Sequence, residues 1–351
     1  MIGALPTRPI TSPLRVARPA GVAVACTVSA YGRVGGPTYA RPVTETAVPE
    51  VPSRVDAVDA VAAVAAVAAG DPTDAAPVRV PGLSPSRAND YLQCPLLFRF
   101  RVIDRLPEPP SAAAVRGTLV HSVLERLFDA PAGMRTLEAA RALLDPCWEQ
   151  MLAERPECAE VLDDTGTAAW FAAAGALLQT YFTLEDPNRL EPADRELMVS
   201  VELDDGLQLR GIVDRVDVAP DGAIRVVDYK TGRSPKPGFE SGALFQMRFY
   251  ALVLSRLRGR VPAMLQLVYL GDGTLLRHSP DAAELVATEQ RVRAIWAGIR
   301  SAAESGTWQP RPSALCPWCA HQALCPAFGG VAPEASPDAV ERAIGVRPIV
   351  A

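Results

Sequence analysis

The chain has 351 residues, of which 49% are apolar and 21% charged, and a formal net charge of −5 at pH 7. That length and apolar content allow one large domain or two ordinary ones with a real core, while the acidic balance excludes an overall basic nucleic-acid binder and leaves only a local patch for such a contact. No apolar run of about 18 residues is present, which excludes a transmembrane helix, and Pro6, Arg8, Pro9 and Pro13 stand where a secretory signal would be apolar, so a cytoplasmic protein is expected.

Residues 1–80 are rich in Pro, Ala, Val and Thr, contain the run "VDAVDAVAAVAAVAAG" and carry seven Arg against six acidic residues. This composition predicts a disordered leader, or a start codon placed too far upstream, with at most a weak helix near 55–69.

Order is expected to begin at "LSPSRANDYLQCP", where Ser84 or Ser86 can cap a short helix that stops near Pro95. Leu119, Val120, Val123, Leu124, Leu127 and Phe128 recur at helical spacing and predict a helix from about Thr118, and residues 136–185 read as mainly helical. From about Glu196 the period becomes two, with "LQLRGIVDRVDV" and "AIRVVDYK" as strands joined at "APDG". A helix over 241–258, a strand at "MLQLVYL" and a long helix over 282–304 follow, then "CPWCAHQALCPAF" and a loose Pro-rich finish. No internal repeat is visible, and the elements make one mixed α/β domain with helices around a small central sheet.

The candidate chemistry starts at Pro220-Asp221-Gly222, where Pro presets φ and Gly supplies the positive φ that closes a short hairpin. A turn centred on Asp221 sets Asp214 opposite Asp228, two carboxylates about 4.5–5.5 Å apart at Cα that repel unless something compensates them. Both are expected on an apolar face, Asp214 with Ile212 and Val216, Asp228 with Ile224 and Val226. A divalent cation such as Mg²⁺ or Mn²⁺ between oxygen ligands is one compensation; ordinary Asp-Arg and Asp-Lys surface pairs are the other. Lys230 shares the face of Asp228 and is, with Lys236, one of two lysines in a chain with 33 arginines. Its compact ammonium can orient one water where the broad fork of Arg cannot.

His121 and Glu125 share a helix face at i and i+4, with Gly117 one turn earlier; His121 is either a third metal ligand or a histidine satisfied at a helix start. Gln246 and Tyr250 make a second such pair, suited to holding a phosphate or a base.

In this order, Gly117-x-x-x-His121, Gly211-x-x-Asp214-Arg215-x-Asp217, Asp228-Tyr229-Lys230-Thr231-Gly232 and Gln246-x-x-x-Tyr250 resemble the RecB-type exonucleases of the PD-(D/E)XK nuclease superfamily, over about residues 84–327. The resemblance implies a restriction-endonuclease-like α/β core, Mg²⁺ or Mn²⁺ bound by His121, Asp214 and Asp228, and phosphodiester hydrolysis in which Asp214, Asp228 and Lys230 are catalytic. It implies that Gln246 and Tyr250 contact the DNA.

Cys316, Cys319 and Cys325 have C-x2-C-x5-C spacing, and Cys94 precedes a proline 222 residues before the first of them. The set is similar to the iron-sulfur staple of AddB-type and CRISPR adaptation nucleases, which implies a 4Fe-4S cluster pinning the two ends of the domain together. Four thiolates also accept Zn²⁺, and His321 keeps a Cys3His zinc site open. Cys26, Cys147 and Cys158 have no partner spacing and read as plain thiols. Trp318 reads as packing against the core or cluster, with base stacking as the other use, and Arg87, Arg99, Arg101, Arg105 and Arg116 read as the local basic patch.

The chain then divides into a leader (1–80), a nuclease domain (81–330) and a flexible tail (331–351). The expected function is a metal-dependent DNA exonuclease acting on single strands or DNA ends in recombination or repair. A CRISPR spacer-adaptation nuclease and a catalytically silent iron-sulfur DNA-binding module are the alternatives. No Walker A pattern occurs, so any helicase partner is a separate chain.

Overall fold

The computed structural model describes residues 81–162, 166–236, 238 and 240–349. The expected leader, its helix near 55–69 and Cys26 lie outside the described residues.

A two-residue strand β1 (Gly82–Leu83) leads into α1 (Pro85–Gln93). Ser84, not Ser86, is the cap: its Oγ accepts from the Arg87 backbone N–H at 3.3 Å. Pro95 opens the short α2 (Pro95–Phe98). The next helix, α3 (Ala112–Leu127), starts before the expected Thr118, because Ala112, Ala113 and Ala114 are strong helix formers that stay exposed and so leave no apolar period. Helices α4 (Leu137–Ala142), α5 (Leu144–Glu154) and α6 (Thr167–Leu184) fill the stretch read as helical, with a break at Pro156.

Three strands follow, β2 (Asp194–Glu202), β3 (Gln208–Val218) and β4 (Ile224–Lys230). Then come α7 (Ser241–Arg258), β5 (Met264–Tyr269), β6 (Thr274–His278), α8 (Ala282–Ser305) and α9 (Pro337–Ile344). Neither β6 nor α9 was legible: β6 is short, and α9 stands in the Pro-rich finish read as a flexible tail. Ser336 caps α9, Pro337 suits its first turn, and Val340 and Ile344, one turn apart, are buried in the core.

The six strands form one mixed sheet in the order β1-β3-β4-β5-β6, with β2 pairing the other side of β3. The β1·β3 and β4·β5 pairs are parallel and the rest antiparallel; α7 makes the crossover that a parallel pair needs. Both faces of β4 and β5 are covered. Ile224, Val226, Leu265 and Leu267 pack with α1, α7, α8 and α9, while Val227, Tyr229 and Val268 pack with α3 to α6. Among the described residues no helix is long and apolar enough to cross a membrane.

Strand β3 is entered and left by turns of the same construction. Leu203 N–H donates to Leu207 O at 2.9 Å and Gly206 N–H to Leu203 O at 2.8 Å; Ala219 N–H donates to Ala223 O at 2.9 Å and Gly222 N–H to Ala219 O at 2.8 Å. Gly206 and Gly222 take φ of +80° and +78°, the left-handed region that glycine enters without strain. Each turn is centred on an aspartate, Asp205 or Asp221, and between them they set the register of the three strands.

Candidate active site

Both hydrogen-bonded ladders of β3 lapse at Asp214. The β3·β4 pairing ends at Arg215↔Val227, one residue short of an Asp214–Asp228 pair, and the Tyr229 N–H instead donates to Asp214 Oδ2 at 2.7 Å. On the other side, pairing runs through Arg195↔Arg215 and resumes at Leu197↔Val213, stepping over Glu196 and Asp214. Glu196 sits at φ +44°, a left-handed conformation that costs a residue with a Cβ about 1–2 kcal/mol.

The same break corrects the expected apolar face. Val213 and Val216 both lie in the α7-side core at 0% exposure, whereas Ile212 is 46% exposed. Strict alternation does not survive a residue left out of both ladders.

Three carboxylates therefore stand in a row across the sheet, Glu196, Asp214 and Asp228, and α3 brings His121 to them. The His121 Nε2–H donates to the Tyr229 carbonyl at 3.0 Å, which leaves Nδ1 with a lone pair 3.5 Å from Asp214 Oδ2 and 3.9 Å from Glu196 Oε1. Ligand atoms of His121, Glu196 and Asp214 all lie within 4.8 Å of one another. Glu196 was not singled out from the sequence, although a turn centred on Asp205 places it opposite Asp214 by the same arithmetic that pairs Asp214 with Asp228.

Burial, then the charge of Asp228, pushes Asp214 up to about 8. Burial, then Asp214, pushes Glu196 up to about 7. Burial lowers the His121 imidazole below its ordinary value and so keeps it neutral. Asp228 Oδ2 is buried without an aligned hydrogen bond, although Lys230 Nζ stands 2.7 Å away. An orphaned carboxylate oxygen, two carboxyls that hold protons against repulsion and a free imidazole lone pair fit a hard divalent cation.

This set has a consequence for stability. The folded metal-free protein keeps protons on Asp214 and Glu196 that the unfolded chain loses at the ordinary carboxyl pKa, so its stability falls as pH rises through the interval between about 4 and 8. Calorimetry should show Tm dropping from about pH 5 to 8 without divalent ions, and Mn²⁺ raising Tm more at the higher pH. Equal increments at both pH values would contradict a cation at these carboxylates.

Lys230, Asp228 and Gln246 close a ring. Gln246 Nε2 donates to Asp228 Oδ1 at 2.8 Å, and Lys230 Nζ donates to Gln246 Oε1 at 2.8 Å while pairing with Asp228 Oδ2. One ammonium proton is committed to Gln246, and Lys230 also lines the open cleft with Gly117, His121, Glu196 and Thr231. The Tyr250 hydroxyl lies 3.3 Å from Gln246 Nε2, and burial pushes the phenol's pKa up. Its ring rests against Gly211, where a Cβ would come within 2.6 Å of Tyr250 Cε1, so the first glycine of Gly211-x-x-Asp214 makes room for the tyrosine.

Behind the carboxylates, Arg215 is 1% exposed. Its guanidinium donates to both oxygens of Glu185 at 2.8 and 2.9 Å and to the Tyr229 hydroxyl at 2.6 Å, and pairs with Asp217 at 3.1 Å. The Arg215–Tyr229 bond links β3 to β4 just where the backbone ladder stops.

Cys94, Cys316, Cys319 and Cys325 line one pocket together with Phe100 and Arg311. The Arg311 N–H donates to Cys94 Sγ at 3.3 Å and the Ser313 N–H to Cys316 Sγ at 3.2 Å. His321 Nε2 lies 2.8 Å from Glu108 Oε1. Trp318 is 79% exposed, which corrects the expectation that it packs inward. Two members of the expected basic patch are corrected: Arg99 is buried against Asp104, and Arg101 is held by Asp90 and Glu108. Cys147 and Cys158 are buried among apolar groups, as plain thiols are.

The chain is similar to the Gene 69 proteins of two mycobacterium phages. Identity with that of phage D29 is 27% over 207 residues, 52% of this chain and 72% of the relative; with that of phage L5 it is 26% over 292 residues, 71% and 97%. Among solved structures, a Eubacterium rectale chain assigned as an exonuclease is 15% identical, with 68% of this chain and 87% of that one covered at a TM-score of 0.47. The family model of the PD-(D/E)XK nuclease superfamily matches residues 82–326, the whole stretch from β1 through the cysteines. The chain belongs to the PD-(D/E)XK nuclease superfamily.

Proposed function

We propose that the chain is a metal-dependent DNA exonuclease of the RecB type, hydrolysing phosphodiester bonds on single strands or DNA ends in recombination or repair. The observation that carries this reading is the row of Glu196, Asp214 and Asp228 under the free nitrogen of His121, with the Lys230 ammonium beside it on an open cleft. A divalent ion held by these four residues would supply Lewis-acid stabilisation of the charge that develops on the phosphate oxygens. Lys230 offers an ammonium proton to the attacking water or to a phosphate oxygen. Gln246 fixes both the ammonium and the Asp228 carboxylate, and Tyr250 steadies Gln246. Ala113, Ala114 and Gly117 give the α3 wall of the cleft small side chains, which suits a single strand.

The test is incubation with Mn²⁺ and single-stranded DNA labelled at the 5′ or the 3′ end in separate reactions. Stepwise release from an end is expected; fragments cut internally, or no cutting, would overturn the exonuclease reading.

For the four cysteines the proposal is an AddB-like 4Fe-4S cluster. Zinc with bonds of about 2.3 Å sets its thiolates only about 3.8 Å apart. Among the described residues, the ligand group gathered within 4.8 Å is that of His121 and not one of cysteines. Protein purified without oxygen should be brown and contain iron and sulfide, and Cys94→Ser should bleach it. Colourless protein with one zinc would refute the cluster.

A further inference from the structure

The β2·β3 ribbon carries an apolar pair in water directly beside the carboxylates. Met198 and Ile212 are register partners and are 78% and 46% exposed. Single exposed apolar residues need no explanation, but these two oppose each other in an antiparallel ladder, where side chains are in contact. Their neighbours on the opposite face, Val199 and Val213, are buried in the α7-side core, and Gly211 there is covered by the Tyr250 ring. Helix α3 covers the adjoining end of β2, where Arg195 donates to the Glu125 carbonyl and pairs with Asp129, and it leaves Met198 open.

Position gives the pair its meaning. Ile212 and Met198 lie two residues from Asp214 and Glu196, about 7 Å along a strand, and they face the α3 side of the sheet, the side from which His121 reaches both carboxylates. A nucleotide next to a phosphate over the carboxylates is thus within reach of Met198 and Ile212. Two aliphatic side chains make a surface the size of one planar base, far below the about 800 Å² per partner of a stable protein interface. A base inside a duplex already has both faces stacked, whereas an unpaired base has a free face to lay there.

We infer that Met198 and Ile212 form a platform for one unpaired nucleobase next to the scissile phosphate, making them specificity-determining residues for single-stranded DNA. The inference rests on the nuclease reading and supplies it with a reason for preferring unpaired strands.

The test steps a single abasic nucleotide along a short single-stranded DNA, using wild type and the Met198→Ser/Ile212→Ser double variant. Binding is measured in Ca²⁺ and cleavage in Mn²⁺. In wild type, one abasic position beside the cut should weaken binding about tenfold, the low end of what base stacking on a side chain contributes. The double variant should bind intact DNA about tenfold more weakly, show no further loss at that position and keep the wild-type Tm. A wild-type scan without a sensitive position, or a variant that retains it, would overturn the platform, as would a wild-type dimer in sedimentation that the variant dissolves. Absence of cleavage with the sensitive position intact in binding would instead remove the nuclease reading and leave the platform standing.

Discussion

Asp228→Asn should lower cleavage of single-stranded DNA by about 10³-fold or more while leaving Tm unchanged or slightly raised. The amide keeps the shape of the carboxylate and can still meet Gln246, which bonds Oδ1 at 2.8 Å, but it withdraws the negative charge from the oxygen beside Lys230. Loss of one preorganised charge-stabilising group typically costs 10²–10³-fold, and here the cation site loses an anionic ligand too. Tm moves little because the loss of a buried like charge next to Asp214 offsets the loss of the ion pair with Lys230. Lys230→Arg should be almost as damaging, since the broad planar guanidinium cannot fit where the compact ammonium stands 2.7 Å from Asp228 and 2.8 Å from Gln246. Single-turnover rates at saturating enzyme read both. Cleavage within about tenfold of wild type in Asp228→Asn would remove this residue from the chemistry.

Arg215→Leu should destabilise the protein by about 3–5 kcal/mol, the cost of removing one partner of a buried ion pair. It strands Glu185, whose side chain is 7% exposed, and takes the partner from the Tyr229 hydroxyl. For a domain of this size that is a fall in Tm on the order of 10 °C. Replacing Glu185 by Leu as well should recover part of the loss, because no charge is then left uncompensated. The single variant should lose cleavage more steeply than stability: Arg215 and Tyr229 tie β3 to β4 at the point where the backbone no longer does, and the separation of Asp214 from Asp228 depends on that tie. Thermal denaturation and activity at a temperature well below Tm separate the two effects. A drop of less than about 1 kcal/mol would mean that the network is redundant.

The parts of the site that turn chemistry controls were readable from the sequence. Gly222 fixes the turn, the turn fixes the register, and the register brings Asp214 and Asp228 together without reference to anything distant in the chain. Glu196 was equally accessible through Asp204-Asp205-Gly206 but escaped because β2 has no motif of its own. What could not be read was the break at Asp214, since it depends on a positive φ at a glutamate, which no local preference foretells. The arginines near the first cysteine misled for a related reason. Counted along the chain they are a cationic cluster, but Asp90, Asp104 and Glu108 fold back onto Arg99 and Arg101, and pairing of that kind is a property of the tertiary structure. Helix α9 was obscured by proline, a breaker in a helix interior but a favoured residue at the first turn.

Short exposed turns are ordinarily where a protein tolerates gain or loss of residues. The two that bracket β3 should behave differently. Adding or deleting one residue in either would slide a whole strand by a step and carry its acidic residue to the opposite side of the sheet. Glu196 would leave Asp214 in one case, and Asp228 would leave it in the other. The reacting centre is thus tied to the length of two solvent-facing turns that take no part in it, and among relatives that share this chemistry those turns should vary freely in composition around their glycines while keeping a constant number of residues.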